Sequence, residues 1–334
     1  MVKIAVAGGS GEVAREVIDV LATTNKHDIT ILSRNVRVSR TPCGIPPLTY
    51  IQESSAQDTN WHGVTWCHVN YDDKDGLVRA LRGIDTVLSF IQLLHDPENK
   101  AQKNLIDAAV LAGVKRFAPS EWGSRSAVTM PWWAGKDEIK EYLKEVNKNG
   151  KVLEYCLFQP GLFLNYLGTP NKTSRYLTPL NTFVDFQNRR GIVVDGHDPI
   201  ITLTTVQDLA AVVAKAVDFE GEWPIVGGMR GNSIAVSKIL EIGERVRGGP
   251  FTVDVVKMED LEAGNLTASW KLEASHPSVS GGEATKMMKT VLVGMLLSSA
   301  KGAWEVSDEW NQLLPEFKFT EIEDFLRNVW EKKL

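Results

Sequence analysis

Val2-Lys3-Ile4-Ala5-Val6-Ala7-Gly8-Gly9-Ser10-Gly11-Glu12-Val13-Ala14 stands at the head of the sequence and decides its fold. A β-branched and apolar run ends in a cluster of glycines, and a helical pattern begins at once. Val13, Val17, Val20 and Leu21 then fall on one stripe of that helix. Gly8 allows a tight turn off the strand, Gly11 lets the backbone come close to a pyrophosphate, and Ala14 is small enough for the helix to lie against a sheet. The start of the helix offers the N–H groups of Gly9, Ser10, Gly11, Glu12 and Val13 and a partial positive charge, which suits phosphate.

Working outward, a second strand spans about Asp28 to Leu32 and ends in Ser33-Arg34-Asn35. This lies roughly 20 residues past the glycines, where such a fold meets the adenosine ribose. An acid there would take the 2′-hydroxyl of NAD. Arg34 suits a 2′-phosphate instead, with Ser33 and Asn35 as further donors, so the expected cofactor is NADPH/NADP+. Residues 35–60 are rich in Pro, Ser and Thr and read as an irregular loop with a short helix.

Strands are expected at Thr65–Val69, Thr86–Ile91, Lys115–Ala118 and Leu153–Phe158. Helices are expected near Gly76–Leu81, Ala101–Ala112 (closed by Gly113) and Gly135–Val146. This alternation predicts a parallel sheet covered on both faces, with every strand's C-terminal end on one rim. Beyond Gln159-Pro160-Gly161-Leu162-Phe163 the alternation breaks down. Thr205-Val206-Gln207-Asp208 reads as a capping box opening a helix, Ile192–Val194 and Ile200–Leu203 as strands, and Ile234–Val246 and Glu321–Trp330 as helices. The expected fold is α/β: a Rossmann-type doubly wound parallel sheet with an interleaved smaller α/β substrate-binding cap. Residues 1–158 would be the NADP-binding domain, and 159–334 mainly the cap.

The 334 residues are 43% hydrophobic and carry a net charge of −5, which gives no general drive toward nucleic acid or an anionic membrane. Three scattered cysteines fit a reducing compartment, and six scattered histidines form no metal-ligand spacing, so no metal is expected. The late apolar stretch Val291–Leu297 is far short of the ~20 residues a membrane helix needs. A cytoplasmic protein is expected, and nothing in the pattern addresses oligomeric state.

These residues resemble the NmrA-like and isoflavone-reductase-like branch of the atypical short-chain dehydrogenases. The resemblance rests on the glycine turn, on Ser33-Arg34, and on Val114-Lys115-Arg116-Phe117-Ala118-Pro119-Ser120-Glu121-Trp122-Gly123. Lys136-Asp137-Glu138-Ile139-Lys140, Gln159-Pro160-Gly161-Leu162-Phe163 and Thr205-Val206-Gln207-Asp208-Leu209-Ala210 extend it over nearly the whole chain. The family usually has Phe where Trp122 stands. The resemblance implies NADPH held by the glycine turn, Arg34, the strand end Ser89-Phe90-Ile91, the motif residues Ser120 and Glu121, and Lys136. It places Gln159, Pro160, Gly161 and Phe163 beside the nicotinamide. It also implies that Lys136 bonds the nicotinamide ribose and assists proton transfer, which makes Lys136 the expected catalytic residue.

One departure stands out. Orthodox short-chain dehydrogenases use Tyr-x-x-x-Lys, whereas Trp132-Trp133-Ala134-Gly135-Lys136 puts Trp at the tyrosine position, and an indole is no general acid near neutral pH. An imine or iminium accepts hydride on carbon without an acid there; a simple ketone would want one. Trp122, Trp132, Trp133, Phe163 and Tyr166 follow the ends of strands five and six and together predict a broad apolar pocket for an aromatic ligand. The expected activity is NADPH-dependent reduction of a bulky aromatic, alkaloid- or phenolic-like secondary metabolite, an imine, iminium or enone. Two alternatives accompany it: hydride transfer that sets up ring closure in alkaloid biosynthesis, and a non-catalytic NADP-sensing regulator.

Overall fold

A computed structural model describes residues 1–34, 51–53, 61, 63–272 and 282–331, with the backbone alone at 51–53 and 282–285. Asn35, most of the segment 35–60 and Cys43 lie outside these residues. The chain divides into two compact units. The first comprises Met1–Glu121, Gly135–Phe158 and Ala210–Gly227; the second comprises Trp122–Ala134, Gln159–Leu209 and Gly228–Leu334. The chain therefore changes unit more often than a single boundary at residue 158 would require.

The first unit is built on β1 (Lys3–Ala7), α1 (Glu12–Thr23), β2 (Asp28–Ser33), β3 (Ile51–Glu53), β4 (Val64–His68), α2 (Lys74–Leu81), β5 (Thr86–Ser89), α3 (Lys100–Ala112), β6 (Arg116–Ala118), α4 (Ala134–Val146) and β7 (Glu154–Tyr155). The sheet order is β3-β4-β2-β1-β5-β6-β7, parallel except for β3, which runs antiparallel to β4. That edge strand falls where the sequence pattern suggested only loop and a short helix. Three residues are too few to show a period, and pairing with β4 decides their state.

The inner strands are nearly continuous apolar runs because helices cover both faces. The four residues of β5 and Ile4 to Ala7 of β1 are all buried. Ala7 pairs with Leu32 on one side and Ser89 on the other, and Leu88 pairs with Ala118, so these strands finish level. The order reverses direction at β1, between β2 and β5, and the crevice beyond the strand ends at such a switch point is where this topology takes ligands. In α1 the buried stripe is Ala14, Val17, Ile18 and Leu21, while Val13 and Val20 are only half-buried, a rotation of the expected face by one position. Gly113 ends α3 in the left-handed conformation, as expected of a C′ glycine.

The second unit contains β9 (Leu162–Phe163), β10 (Val184–Asp185), β11 (Arg190–Val194), β12 (Ile200–Thr204), β14 (Asn232–Ala235), α6 (Val236–Arg247), β15 (Thr252–Val256), α7 (Met258–Glu262), α8 (Gly282–Ala300), α9 (Glu309–Leu313) and α10 (Ile322–Trp330). Four elements, α4 (through Ala134), β8 (Leu157–Gln159), α5 (Val206–Asp218) and β13 (Val226–Gly228), have residues in both units. Two three-stranded sheets, β14-β12-β9 and β10-β11-β15, pack with α6, α8 and α10 around a separate core that includes Phe186, Ile192, Ile239, Leu292 and Leu326. The capping box forms on its first arm only: the Asp208 N–H donates to Thr205 Oγ1 at 3.0 Å. The Asp208 carboxylate accepts from Thr320 instead, which ties α5 to the segment before α10. Ile234, expected in a helix, belongs to β14, which pairs with β12.

Candidate functional site

The glycine turn forms one wall of a cavity of about 510 Å³ in the first unit. Gly8, Gly9, Ser10 and Gly11 line it, with Leu32, Ser33 and Arg34 from the end of β2 and Phe90, Ile91 and Gln92 beyond β5. Gly8 has a left-handed φ of +72°, and a Cβ there would lie 2.6 Å from the Phe90 carbonyl oxygen. A side chain at this position would meet both a disfavoured backbone conformation and the neighbouring main chain. Gly9 is equally closed, its Cβ position lying 2.6 Å from Ile31 Cγ2. Gly11 donates its N–H to the Gly8 carbonyl at 3.0 Å and, as the N-cap of α1, brings no side chain of its own to cap the helix. The positive end of the α1 dipole at this turn suits an anion. Arg34 is exposed on the same cavity, so two positive elements, a helix start and a guanidinium, line one space.

Buried polar groups hold the strand ends around this cavity. Asp96 accepts the N–H groups of Ala101 and Gln102 at 2.7 and 3.0 Å, fixing the start of α3. Gln102 Oε1 accepts both Ser89 Oγ at 2.8 Å and the Ser120 N–H at 2.9 Å, pinning the ends of β5 and β6 to that helix. Tyr71 donates its hydroxyl to the Leu32 carbonyl at 3.2 Å, and burial pushes its phenol well above the ordinary value.

Lys136 lies in the first turns of α4 and is only 6% exposed. Its ammonium donates to the main-chain carbonyl of Glu121. Burial pushes its pKa down to about 8, against the attraction of the Glu121 carboxylate and with a further push from Lys140. Glu121 is buried as well; desolvation raises its carboxyl, opposed by Lys136 and by Lys140, whose Nζ lies 3.4 Å from Glu121 Oε2. One buried carboxylate is thus faced by two lysines one helical turn apart. Asn99 braces the same helix by donating to the Gly135 carbonyl and to Glu138.

In the second unit, Trp122, Met130, Trp132, Trp133, Phe163, Tyr166, Leu180, Val291, Met295 and Trp304 enclose an aromatic pocket of about 150 Å³. Its described lining carries no acid, lysine, arginine or histidine. Trp133 and Trp304 meet at 5.7 Å with planes tilted by 52°, and Phe163 meets Tyr166 edge to face at 5.7 Å. The Trp304 indole is anchored by donating to Ser298 Oγ at 2.8 Å. Trp122 takes a φ of +34°, a sparsely populated conformation for a bulky aromatic and one that concentrates at functional sites. Gly161 has φ +73°, and a Cβ there would lie 2.3 Å from the Thr202 carbonyl oxygen, so glycine is required. Its N–H donates to the Gly123 carbonyl at 3.1 Å, joining the segment after Trp122 to the segment before Phe163.

Residues 2–326 match the profile of the NmrA-like family. The chain belongs to the NmrA-like family. "Oxidoreductase swnN" of Metarhizium robertsii is 28% identical, over all of this chain and 98% of its own length. "Isoflavone reductase homolog P3" of Arabidopsis thaliana is 26% identical over 65% of this chain and 64% of its own. A solved structure described as "AtPrR2 with NADP+ and (+)pinoresinol" superposes with a TM-score of 0.67, at 17% identity and 98% coverage of both chains, and shares the fold.

In this NmrA-like chain the described residues expected to hold the cofactor fall into four groups. Gly8, Gly9, Ser10, Gly11, Ser33, Arg34, Phe90 and Ile91 line one cavity. Ser89, Ser120, Glu121 and Lys136 lie in the same unit but not on that lining; Ser89 is wholly buried and bonded to Gln102. Glu12 and Val13 begin α1 behind the glycines. Gln159, Pro160, Gly161 and Phe163 belong to the second unit, where Gly161 and Phe163 line the aromatic pocket. All five expected substrate residues, Trp122, Trp132, Trp133, Phe163 and Tyr166, line that pocket together. The sequence reading missed Trp66, Tyr71, Gln92 and His95 in the glycine cavity and Met130, Leu180, Val291, Met295 and Trp304 in the aromatic one. Tyr71 and Gln92 closely follow strand ends, so the rule that placed Arg34 could have found them. Nothing local marks Trp304. Among the described residues no group of side chains could hold a metal, and no helix is long and apolar enough to cross a membrane.

Proposed function

We propose that this protein is an NADPH-dependent reductase of a ring-bearing, alkaloid- or phenolic-like metabolite, with a C=N bond as the preferred acceptor. The observation that carries the cofactor assignment is the convergence of Gly8–Gly11, at the start of α1, and Arg34 on one cavity. A pyrophosphate suits the helix start, and a 2′-phosphate suits a planar guanidinium. The curated relative spanning the full length carries the name oxidoreductase, and a fold neighbour is described with NADP+, which supports the same reading.

NADPH, when bound, supplies a hydride from its nicotinamide ring. The chain's own residues do the rest. Aromatic faces bind and orient an apolar ring and exclude water, and they favour a cation held over them. Hydride addition to an iminium carbon neutralises that cation and needs no acid on carbon, which fits tryptophan at position 132 and an aromatic lining without an ionic side chain. For an enone or a neutral imine a proton is required. Lys136, with a pKa of about 8, is the group suited to deliver it near neutral pH.

The test is to incubate the protein with NADPH and a panel of 3,4-dihydroisoquinolines, their N-methyl iminium salts and isoflavone-type enones, following loss of reduced-nicotinamide absorbance. The reading expects turnover of C=N substrates, the neutral imines gaining two hydrogens and the iminium salts one, as hydride. A ring-closed product would show that reduction sets up cyclisation. Tight NADPH binding without consumption against any panel member would overturn the reductase reading in favour of a dinucleotide sensor.

A further inference from the structure

The aromatic pocket has a neighbour. Pro131, Trp132, Lys286, Met287, Thr290 and Val291 line a second cavity of about 380 Å³, and Trp132 and Val291 line both spaces. The geometry points to Trp132 as a movable partition between two halves of one substrate site, with Gly294 of α8 as its seat, so that this residue pair sets the size of ring system admitted. The inference rests on the reading of the aromatic pocket as the substrate site.

Size makes the partition matter. A cavity of roughly 150 Å³ holds about one benzene ring, whereas pockets for drug-sized ligands start near 300 Å³. The aromatic pocket alone, at about 150 Å³, takes one ring, two at most. With the indole swung aside it opens into the larger space, and a polycyclic ligand fits. The wall is one side chain, half-buried, on the short 3-10 turn Pro131–Trp133 that precedes α4. Its seat is a glycine in the middle of α8: a Cβ at Gly294 would lie 2.4 Å from Trp132 Cη2, 2.8 Å from Cζ3 and 2.7 Å from the Thr129 carbonyl. Glycine inside a helix is destabilising relative to alanine, and here it leaves room for the indole against the helix. Thr129, at φ +59°, donates its hydroxyl to the Val128 carbonyl at 2.6 Å, with the Gly294 carbonyl a longer second acceptor at 3.4 Å, so the turn carrying the wall packs against the same residue.

The test compares a compact probe, indole, with a three-ring fluorescent probe, 1-aminoanthracene, by saturation-transfer NMR and by fluorescence enhancement. The whole protein is used, without NADPH turnover, so the partition can fail while the reductase reading stands, and the reverse. In wild type, indole should bind and 1-aminoanthracene should bind weakly. Trp132→Ala should tighten 1-aminoanthracene by about tenfold or more, and Trp132→Phe by less. A cooperative melt close to that of wild type shows that each variant is folded. Gly294→Ala, which displaces the ring without removing it, should weaken indole by about threefold or more. Unchanged 1-aminoanthracene affinity in folded Trp132→Ala, or wild-type protein that already binds the two probes equally, would overturn the partition. Unchanged indole affinity in Gly294→Ala would remove Gly294 as its seat.

Discussion

The two cavities are made in opposite ways. The glycine cavity takes its defining wall from main chain: three glycines, one of them at φ +72°, lead into a helix start, and Arg34 reaches the same space from the end of the next strand. The aromatic pocket is made of side chains drawn from residues 122–133, 161–166, 180 and 291–304. Backbone cavities follow from local geometry and change little when a surface residue is replaced. Side-chain cavities depend on how distant segments pack and can be reshaped one residue at a time. A general dinucleotide site in one unit and an adjustable pocket in the other is the arrangement expected when one cofactor must serve many substrates.

The sharpest way to break this contrast is Gly8→Ala. The methyl would require a left-handed alanine against the Phe90 carbonyl. NADPH affinity should fall by about a hundredfold or more, with stability lowered by about 1–3 kcal/mol. Calorimetric titration and a urea melt would show both, and near-normal binding would mean that the turn is not the phosphate site. Next in size is Lys136→Met. For an enone substrate kcat should drop about a hundredfold or more, the usual worth of a positioned proton donor, and NADPH affinity should change little. For an iminium substrate the loss should be much smaller, and a steady-state comparison of the two substrates reads the difference directly. Equal losses would remove the proton-donor role.

Lys136 also predicts a stability signature. Its folded pKa, about 8, lies below the lysine value of 10.5. The native state therefore binds fewer protons than the unfolded chain between those values, and stability rises as pH increases through that window. Below it the full cost of the buried ammonium is present. In Lys136→Met this part of the rise should vanish; a difference curve that is flat from about pH 8 to 10 would contradict the burial argument. The smallest expected effect is that of Gln102→Ala, which removes the acceptor shared by Ser89 and Ser120. It should lower stability by about 1–3 kcal/mol and loosen NADPH binding only slightly.

How much was legible follows the same divide. The parallel sheet, the glycine turn, Arg34 at the end of β2 and Gly113 at the end of α3 were readable, because each rests on a local rule of period, turn chemistry or spacing. The five aromatic residues were readable as a group, because they cluster after two strand ends, and the structure brings all five to one pocket. Trp304, Met295 and Val291 were not readable, because α8 is apolar around most of its circumference and its periodicity does not say which face meets residues 122–133. The division into units was only partly visible. No composition change marks Trp122 or Ala210, where the chain passes from one unit to the other. The expected bulk of the substrate was inferred from the number of aromatics; the pocket measures about 150 Å³, with Phe163 packed on Tyr166 and Trp133 on Trp304.

The most direct measurement of the central claim is a titration of wild-type protein and Arg34→Ala with NADPH and NADH, followed by tryptophan fluorescence, to which Trp66 on the cavity wall contributes. The account predicts that wild type prefers NADPH by about 10- to 100-fold, the worth of a charge-assisted phosphate contact. It also predicts that Arg34→Ala abolishes the preference while NADH affinity stays the same. Equal affinities in wild type, or a preference that survives the loss of Arg34, would contradict it.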